Sequence, residues 1–224
     1  MTDVPDQRRT LPVAAVAVLA AGVAMVVGMA IGTALDGHDP AAGPPAAGSA
    51  EAGFARDMQV HHGQAVEMSV LVRESTDDPE VAILALDIML TQQQQAGQMY
   101  GWLEQWDLTQ ASSEAPMTWM ADGSDMTTMD HGEAPDASSR ATPMPGMATE
   151  DDLRRLDAAE GVEAEALYLQ LMIAHHQGGV EMAQAALERA TDDDVRRLAQ
   201  AIVDSQTAEL AVLKQMLPER ASYL

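Results

Sequence analysis

Cysteine is absent from all 224 residues of the sequence. Its absence excludes disulfide scaffolds, zinc ribbons, iron–sulfur clusters and thiol nucleophiles. Basic residues are scarce, since 12 Lys and Arg stand against 35 Asp and Glu, which gives a formal net charge of -23. This acidity argues against binding to nucleic acids, because contacts to phosphates need Lys and Arg. Aromatic residues make up only 3% of the chain, whereas 16 methionines supply much of its polarizable side-chain mass.

The N-terminal part contains one long apolar segment. Residues 11–35 carry no charge, and as a helix they are long enough to cross a bilayer with some tilt. Arg8 and Arg9 precede the segment, so the positive-inside rule keeps residues 1–10 in the cytoplasm. We therefore predict a single-pass signal anchor in the cell membrane, with the rest of the chain on the extracytoplasmic side. A small-x-small sequence at residues 32–34 leaves a cleaved signal peptide, and hence a secreted protein, as the alternative.

An internal repeat follows a linker rich in Pro, Gly and Ala at residues 36–53. The segment MQVHHGQAVEM, residues 58–68, returns as MIAHHQGGVEM, residues 172–182. The same shift of 114 positions continues without a gap into the segment after each motif, where it pairs Gln92 with Gln206. Such a register over some fifty residues indicates a duplicated unit, with repeats at 54–106 and 168–217.

Each repeat is predicted to form a helical hairpin. Apolar residues from Phe54 to Val72 recur at the spacing of one helical stripe. Asp78 and Pro79 have the side chains typical of a helix start, so second helices are predicted at 79–106 and 193–217. Neither hairpin can bury its apolar stripe alone, and we therefore predict an all-α fold, an antiparallel four-helix bundle over residues 54–217.

A long connection, residues 107–149, joins the two repeats, and Thr149 with Asp152 is predicted to cap a short helix at 150–159. The connection contains three M-x-x-M pairs and one histidine: Met117/Met120, Met126/Met129, Met144/Met147 and His131. A solvated loop gains nothing from methionine for packing, and thioethers are soft ligands that suit Cu(I). Soft-metal capture is therefore one hypothesis. A disordered linker of biased composition and a sacrificial oxidation trap are the alternatives.

Two histidine pairs stand in the middle of the first helix of each repeat. His61 and His175 lie on the apolar stripe, whereas His62 and His176 lie on its flank. Methionines of the same stripe stand on either side of each pair: Met58 and Met68 in the first repeat, Met172 and Met182 in the second. The pattern therefore places one imidazole between two thioethers on the core face of each repeat.

Three hypotheses account for these histidines. They are neutral core residues hydrogen-bonded to Gln92 and Gln206 of the partner helices, or they form a metal site together with methionine, or they act as general acids and bases. Gln95 and Glu209 lie one turn further along the same partner helices. Acid–base catalysis lacks an accompanying nucleophile or a pair of carboxylates, so we expect no enzymatic activity.

A di-iron centre, which many four-helix bundles hold, requires Glu-x-x-His motifs. The residue three positions before His61 is Met58, and the residue three before His175 is Met172. No Glu-x-x-His occurs in the sequence, and this disfavours ferroxidase chemistry.

The doubled M-x-x-H-H-x-x-x-V-E-M motif, the glutamine-containing second helices and the Met-rich connection together resemble the bacterial domain-of-unknown-function family 305. The resemblance covers about residues 54–217. It implies a ferritin-like four-helix fold in an exported or membrane-anchored protein, and some members are linked to copper binding and copper tolerance outside the cytoplasm. The four paired histidines and the four flanking methionines match the family's motif. Gln95 departs from the family-like Glu209, which puts a symmetric two-metal site in doubt.

The sequence thus predicts a membrane-anchored extracytoplasmic protein that captures or buffers copper, above all Cu(I). The predicted ligands are the paired histidines, the four flanking methionines, Glu209, and the six methionines and His131 of the connection. The alternative is a structural or interaction module of the cell envelope whose core histidines bind no metal. The predicted partners are a metal ion and the membrane, without nucleic acid. Protein partners and oligomeric state, a homo-oligomer included, stay open.

Overall fold

The structure, a computed structural model, describes residues 43–121 and 144–224. The predicted membrane segment and three of the predicted ligands of the connection, Met126, Met129 and His131, lie outside the described residues. Within the described ranges, no helix combines the length and the apolarity that a membrane span requires.

Four long helices and one short helix make up the described part of the chain. They are α1 (Ala50–Ser75), α2 (Pro79–Gln105), α3 (Glu150–Ala158), α4 (Gly161–Arg189) and α5 (Asp193–Met216), and 3₁₀ turns occur at Thr118–Met120, Leu217–Glu219 and Ala221–Tyr223. No strand occurs between residues 43 and 121 or between 144 and 224, and the all-α prediction is confirmed there.

Side-chain caps fix most of the helix starts. Asp78 accepts hydrogen bonds from the first backbone N–H groups of α2, where Pro79 takes the first position, and Asp192 does the same for α5. Thr149 and Asp152 form the predicted capping box of α3. The predicted ends of α2, α3 and α5 differ from the observed ends by one residue.

The first helices of both repeats begin earlier than predicted. Ser49 caps α1, so this helix starts at Ala50, inside the segment expected to be a linker. Helix α4 starts at Gly161, directly after α3, and the second repeat is therefore longer at its N-terminal side than expected. The sequence pattern did not predict either helix start, because small residues such as Ala and Gly do not form a recognisable apolar stripe.

Two antiparallel hairpins, α1–α2 and α4–α5, pack into a helical bundle through contacts between α1 and α4. The buried side chains form two apolar clusters. The first cluster includes Phe54, Met58, Met99, Leu103, Met182 and Ile202. The second cluster includes Met68, Val72, Ile88, Leu169, Met172 and Leu213. Polar residues separate the two clusters on every long helix.

Both described ends of the Met-rich connection pack on the bundle. Met117 is only 6% exposed and belongs to the first cluster, and Met120 and Met144 pack against it. Asp57 of α1 holds the first end, because its carboxylate accepts hydrogen bonds from the backbone N–H of Met117 and from the indole of Trp119, at 2.7 and 2.9 Å. The expectation that packing does not account for the connection's methionines is therefore wrong for Met117.

Candidate metal site

A layer of polar side chains crosses the bundle between the two apolar clusters. We call it the polar layer; its members are His61, His62, Gln92, Gln95, His175, His176, Gln206 and Glu209. The four imidazoles are fully buried, and the amides of the three glutamines are nearly so. The prediction placed the second histidine of each pair on the flank of its helix, yet His62 and His176 are as inaccessible to solvent as the other two.

The two central histidines lie where α1 meets α4. The ring centroids of His61 and His175 are 3.7 Å apart, and the ring planes are inclined by 33°. His175 donates a hydrogen bond from Nε2 to the backbone carbonyl of His61 at 2.9 Å. His61 donates from Nε2 to the carbonyl of Pro145, in the connection, at 3.1 Å. The two rings therefore face the opposite hairpin and the connection rather than α2 and α5.

The outer histidines bind to the second helix of their own hairpin. His62 donates from Nε2 to Oε1 of Gln95 at 2.8 Å. His176 donates from Nε2 to Oε2 of Glu209 at 2.6 Å. These two hydrogen bonds occupy equivalent positions of the internal repeat, so the duplication extends to the contacts within the layer.

The predicted hydrogen bonds to Gln92 and Gln206 are not formed. Both amides are buried, and neither their nitrogen nor their oxygen has a hydrogen-bond partner within residues 43–121 and 144–224. The prediction is wrong because His61 and His175 direct Nε2 towards backbone carbonyls, one of which lies on the connection. An unpaired buried amide costs about 1–3 kcal/mol, and a further polar partner at either position would remove that cost.

Burial keeps His61, His62 and His175 neutral. It lowers the pKa of His61 to about 4 and that of His62 to about 3, and it lowers the pKa of His175 well below its ordinary value. Repulsion from neighbouring imidazoles lowers the same three pKa values further. Because a carbonyl oxygen only accepts hydrogen bonds, the protons of His61 and His175 lie on Nε2 and the lone pairs on Nδ1.

All four Nδ1 atoms of the layer are buried and lack a hydrogen-bond partner among the residues that the structure describes. A metal-binding histidine in proteins usually donates its other ring N–H to a carbonyl or carboxylate, which fixes the tautomer and orients the ring. The four Nε2 hydrogen bonds of the layer are of this kind. The layer therefore presents imidazoles already oriented for ligation through Nδ1.

The motif methionines bracket the polar layer. Met58 of α1 and Met182 of α4 belong to the first cluster, and Met68 and Met172 belong to the second. All four are fully buried, so each side of the layer carries one thioether from each central helix. Glu67 and Glu181, on the same two helices, are exposed.

The second described end of the connection closes against α4. The carbonyl of Pro145 lies so near Gly178 that a Cβ at that glycine would stand 1.9 Å from the oxygen. Gly146 has a φ of +73°, and a Cβ there would stand 2.1 Å from the carbonyl oxygen of Ala174. Gln64 fixes the next turn, because its amide donates to and accepts from the backbone of Ala148 at 2.9 and 2.7 Å.

The sequence contained a signal for this contact. Two successive glycines, Gly178 and Gly179, stand in the middle of a predicted helix, where they weaken it and indicate a close approach of another backbone. The hypothesis of a solvated loop left no partner for them, and Pro145 was not among the predicted site residues.

The described ranges contain no preformed cage for a hard cation. In the described ranges, no group of three or more His, Asp or Glu side chains converges in a way that would hold a metal ion. Imidazole nitrogen and thioether sulfur together fit a soft ion that tolerates few ligands. The buried imidazoles of the polar layer and the flanking methionines are donors of these two kinds, and the sequence lacks the Glu-x-x-His motif of a di-iron centre.

The fold and the polar layer define an all-helical bundle protein with two buried histidine pairs. The chain belongs to the DUF305 family, because the sequence model of that family, described as "Domain of unknown function (DUF305)", matches residues 51–217. The resemblance inferred from the paired motifs is thereby confirmed. No curated protein matches the chain.

Solved structures of relatives have the same fold. A DUF305 protein of Streptomyces coelicolor, described as a candidate secreted protein, is 48% identical with a TM-score of 0.68, and the match covers 79% of this chain and 96% of that one. A DUF305 fragment of Deinococcus radiodurans is 30% identical with a TM-score of 0.59, over 76% and 96% of the two chains. CopM in its Cu(II)-bound form is 23% identical with a TM-score of 0.52, over 76% and 97%, and this likeness shows the fold alone.

Proposed function

We propose that the protein captures or buffers copper outside the cytoplasm, with the polar layer as its ordered site. The observation that carries this proposal is the set of four buried imidazoles whose Nε2 atoms donate hydrogen bonds, while their Nδ1 atoms have no partner in the described part of the chain. Burying a polar atom without a partner is costly, and ligation would remove that cost.

Copper is the metal that the donors favour. The chain offers no thiolate, so His and Met are its only soft or borderline ligands. Thioethers keep their affinity for Cu(I) in an oxidising compartment, where thiolates are lost. CopM, whose fold the chain shares, has been crystallised in Cu(I)-bound, Cu(II)-bound and Ag-bound forms, which supports the same choice.

The connection would supply weaker, exchangeable sites. Met120, Met144 and Met147 are only partly buried, and Met126, Met129 and His131 lie outside the described residues. Met117 is removed from this set, since it fills the first apolar cluster.

The proposal also covers where the protein is located, how its helices are arranged and what class of activity it has. Residues 11–35 would anchor the bundle at the outer face of the cell membrane, and the description of the Streptomyces coelicolor relative as a candidate secreted protein supports export. The four long helices would adopt the ferritin-like arrangement. The protein would act as a binding protein and not as an enzyme.

A competition titration tests the copper proposal. The full chain in detergent is titrated with Cu(I) against a chelator of known affinity, with His61→Gln/His175→Gln as the site variant. Glutamine retains a donor near the position of Nε2 and removes the Nδ1 lone pair. We expect this variant to keep its helical circular dichroism and to bind Cu(I) less tightly than the unmodified chain.

Two further variants serve as comparisons in that titration. Exposed Glu67→Gln/Glu181→Gln, on the same helices, is expected to bind as the unmodified chain does. Met120→Leu/Met144→Leu/Met147→Leu is expected to lose only weaker binding. Unchanged tight binding in the histidine variant would remove the polar layer from the proposal.

The second candidate is a structural or interaction module of the cell envelope that binds no metal. The absence of three converging His, Asp or Glu side chains in the described ranges favours it. It predicts that His61→Gln lowers the melting temperature while added copper leaves the melting temperature of the unmodified chain unchanged.

A further inference from the structure

The two halves of the polar layer are equivalent in the repeat but differ in charge. His62 donates to the neutral amide of Gln95, whereas His176 donates to the carboxylate of Glu209. Gln95 and Glu209 stand 114 positions apart, as the two repeats do. At this position of the repeat, one imidazole therefore donates to a neutral acceptor and the equivalent imidazole donates to a charged one.

Exposure differs between the halves as well. The side chain of Glu209 is 22% exposed, whereas Gln95 is 5% exposed. The hydrogen bond between Glu209 and His176 thus connects the fully buried layer with solvent. On the other side of the bundle, the contact between His62 and Gln95 is buried throughout.

A second carboxylate adds to the negative potential at the Glu209 end. The pKa of Asp87, on α2, is raised by burial and then by repulsion from Glu209. The negative charge of Glu209 therefore acts on the carboxyl group of Asp87, although the two residues lie on different hairpins. A cation approaching the layer from this side meets both charges.

Unpartnered amide atoms lie beside the charged half. Gln206 stands one helical turn before Glu209, is buried, and has no partner for either amide atom among the described residues. Its Oε1 occupies the space that a side chain at Gly179 would fill, since a Cβ there would stand 2.3 Å from that oxygen. The amide oxygen thus lies against α4, three residues beyond His176. There it is available as an oxygen ligand for a bound cation.

We infer that Glu209 makes the His176 half of the polar layer the half that takes a cation first. This inference rests on the proposed function. Glu209 acts as a positioning residue: it holds the proton of His176 on Nε2, leaves Nδ1 free for the metal, and offsets the metal's charge through the imidazole. In the other half, Gln95 orients the imidazole of His62 in the same way, but its amide carries no negative charge.

Reciprocal exchange of the two acceptors provides the test. Glu209→Gln keeps an oxygen acceptor for His176 and removes the charge, and Gln95→Glu adds a charge at the equivalent position. The double variant Gln95→Glu/Glu209→Gln retains the net charge and the composition of the chain. Each full-length protein, with nitrogen-15-labelled histidine, is titrated with Ag(I), a diamagnetic stand-in for Cu(I), and imidazole resonances are recorded by NMR.

In the unmodified chain, we expect the resonances of His176 to shift before those of His62. Glu209→Gln should lower the affinity of the first site roughly 10–100-fold, the usual effect of losing an outer-shell partner. The double variant should restore that affinity with His62 shifting first, which a merely structural role of Glu209 would not produce.

Two other outcomes are distinguishable. The inference is overturned if the resonances of His62 and His176 shift together in the unmodified chain. It is also overturned if His176 still shifts first in the double variant. In both cases copper binding by the layer stands. If no imidazole shifts in the unmodified chain, the proposed function and the inference fail together.

Discussion

The buried imidazoles are the residues on which the account depends. Burial lowers the pKa of His61 to about 4 and that of His62 to about 3, so both are neutral in the folded chain near neutral pH. Neutral imidazole is the form that binds metals, and protonation competes with metal binding. The same burial that makes the histidines good ligands makes the fold sensitive to acid.

Acid should therefore destabilise the metal-free protein through these histidines. The unfolded chain protonates them near a pKa of about 6.5, whereas the folded chain resists protonation down to about 4. Stability is then complete above about pH 6.5 and falls on acidification, by up to about 1.4 kcal/mol per pH unit for each histidine. Urea unfolding of the full chain with a chelator present, at several pH values, measures the slope.

The variant His62→Gln isolates this contribution. It should flatten the fall in unfolding free energy between about pH 6.5 and pH 3, because the unfolded state no longer gains that proton. The exposed variant Glu67→Gln serves as the control. Parallel curves for His62→Gln and the unmodified chain would show that His62 is not the source of acid sensitivity.

At the level of elements, the chain's pattern predicted the helices well and their mutual contacts poorly. Caps such as Asp78 and Thr149 act on neighbouring backbone groups, so local sequence suffices to find them. The contact of Pro145 with His61 joins positions 84 residues apart and depends on how the connection folds back. Periodicity likewise reports which face is apolar, but not which helix a buried histidine faces.

The docked turn of the connection supplies a prediction of its own. Gly178→Ala places a Cβ against the carbonyl of Pro145, and backbone has to move to accommodate it. We expect a loss of about 1–3 kcal/mol of unfolding free energy, as for other overpacked sites, together with a change in the His61 imidazole resonances.

The control is Gly63→Ala, in the middle of α1, where an added Cβ meets no atom within 4 Å. That substitution should stabilise the protein by roughly 0.5–1 kcal/mol, because alanine favours the helix. Equal stability of the two variants would contradict the tight contact between the turn and α4.

At the level of the whole molecule, polar contacts join the two hairpins at both ends of the bundle. Glu51 of α1 accepts hydrogen bonds from the backbone and hydroxyl of Thr191, in the turn between α4 and α5. Its repeat equivalent, Glu165 of α4, accepts from Thr76 in the turn between α1 and α2. Arg220 then joins Glu165 and Asp78 at 2.7 and 2.5 Å. The bundle thus holds its polar layer between two fixed ends.

Removing the C-terminal arginine should loosen one of those ends. Arg220→Met leaves Glu165, which is nearly inaccessible to solvent, without its charged partner. Breaking a buried ion pair costs about 3–5 kcal/mol, and we expect a decrease near the lower bound because Thr76 still donates to Glu165. Urea unfolding measures the change.

Arg154→Met, on the exposed surface of α3, is the matched control, since its ion pairs with Glu150 and Asp151 lie in solvent. Exposed pairs contribute about 0–1 kcal/mol, so little change is expected. A similar small loss for Arg220→Met would show that the C-terminal contact does not fasten the hairpins.

The central claim is that copper binds in the polar layer, and X-ray absorption at the copper edge tests it most directly. The full chain is loaded with less than one equivalent of Cu(I), so that only the tightest site fills. The account predicts a first shell that mixes nitrogen and sulfur, with outer-shell scattering typical of imidazole, and predicts its loss in His175→Gln/His176→Gln, the histidine pair of the half that fills first. A shell without imidazole, or one that the double substitution leaves unchanged, would contradict the account.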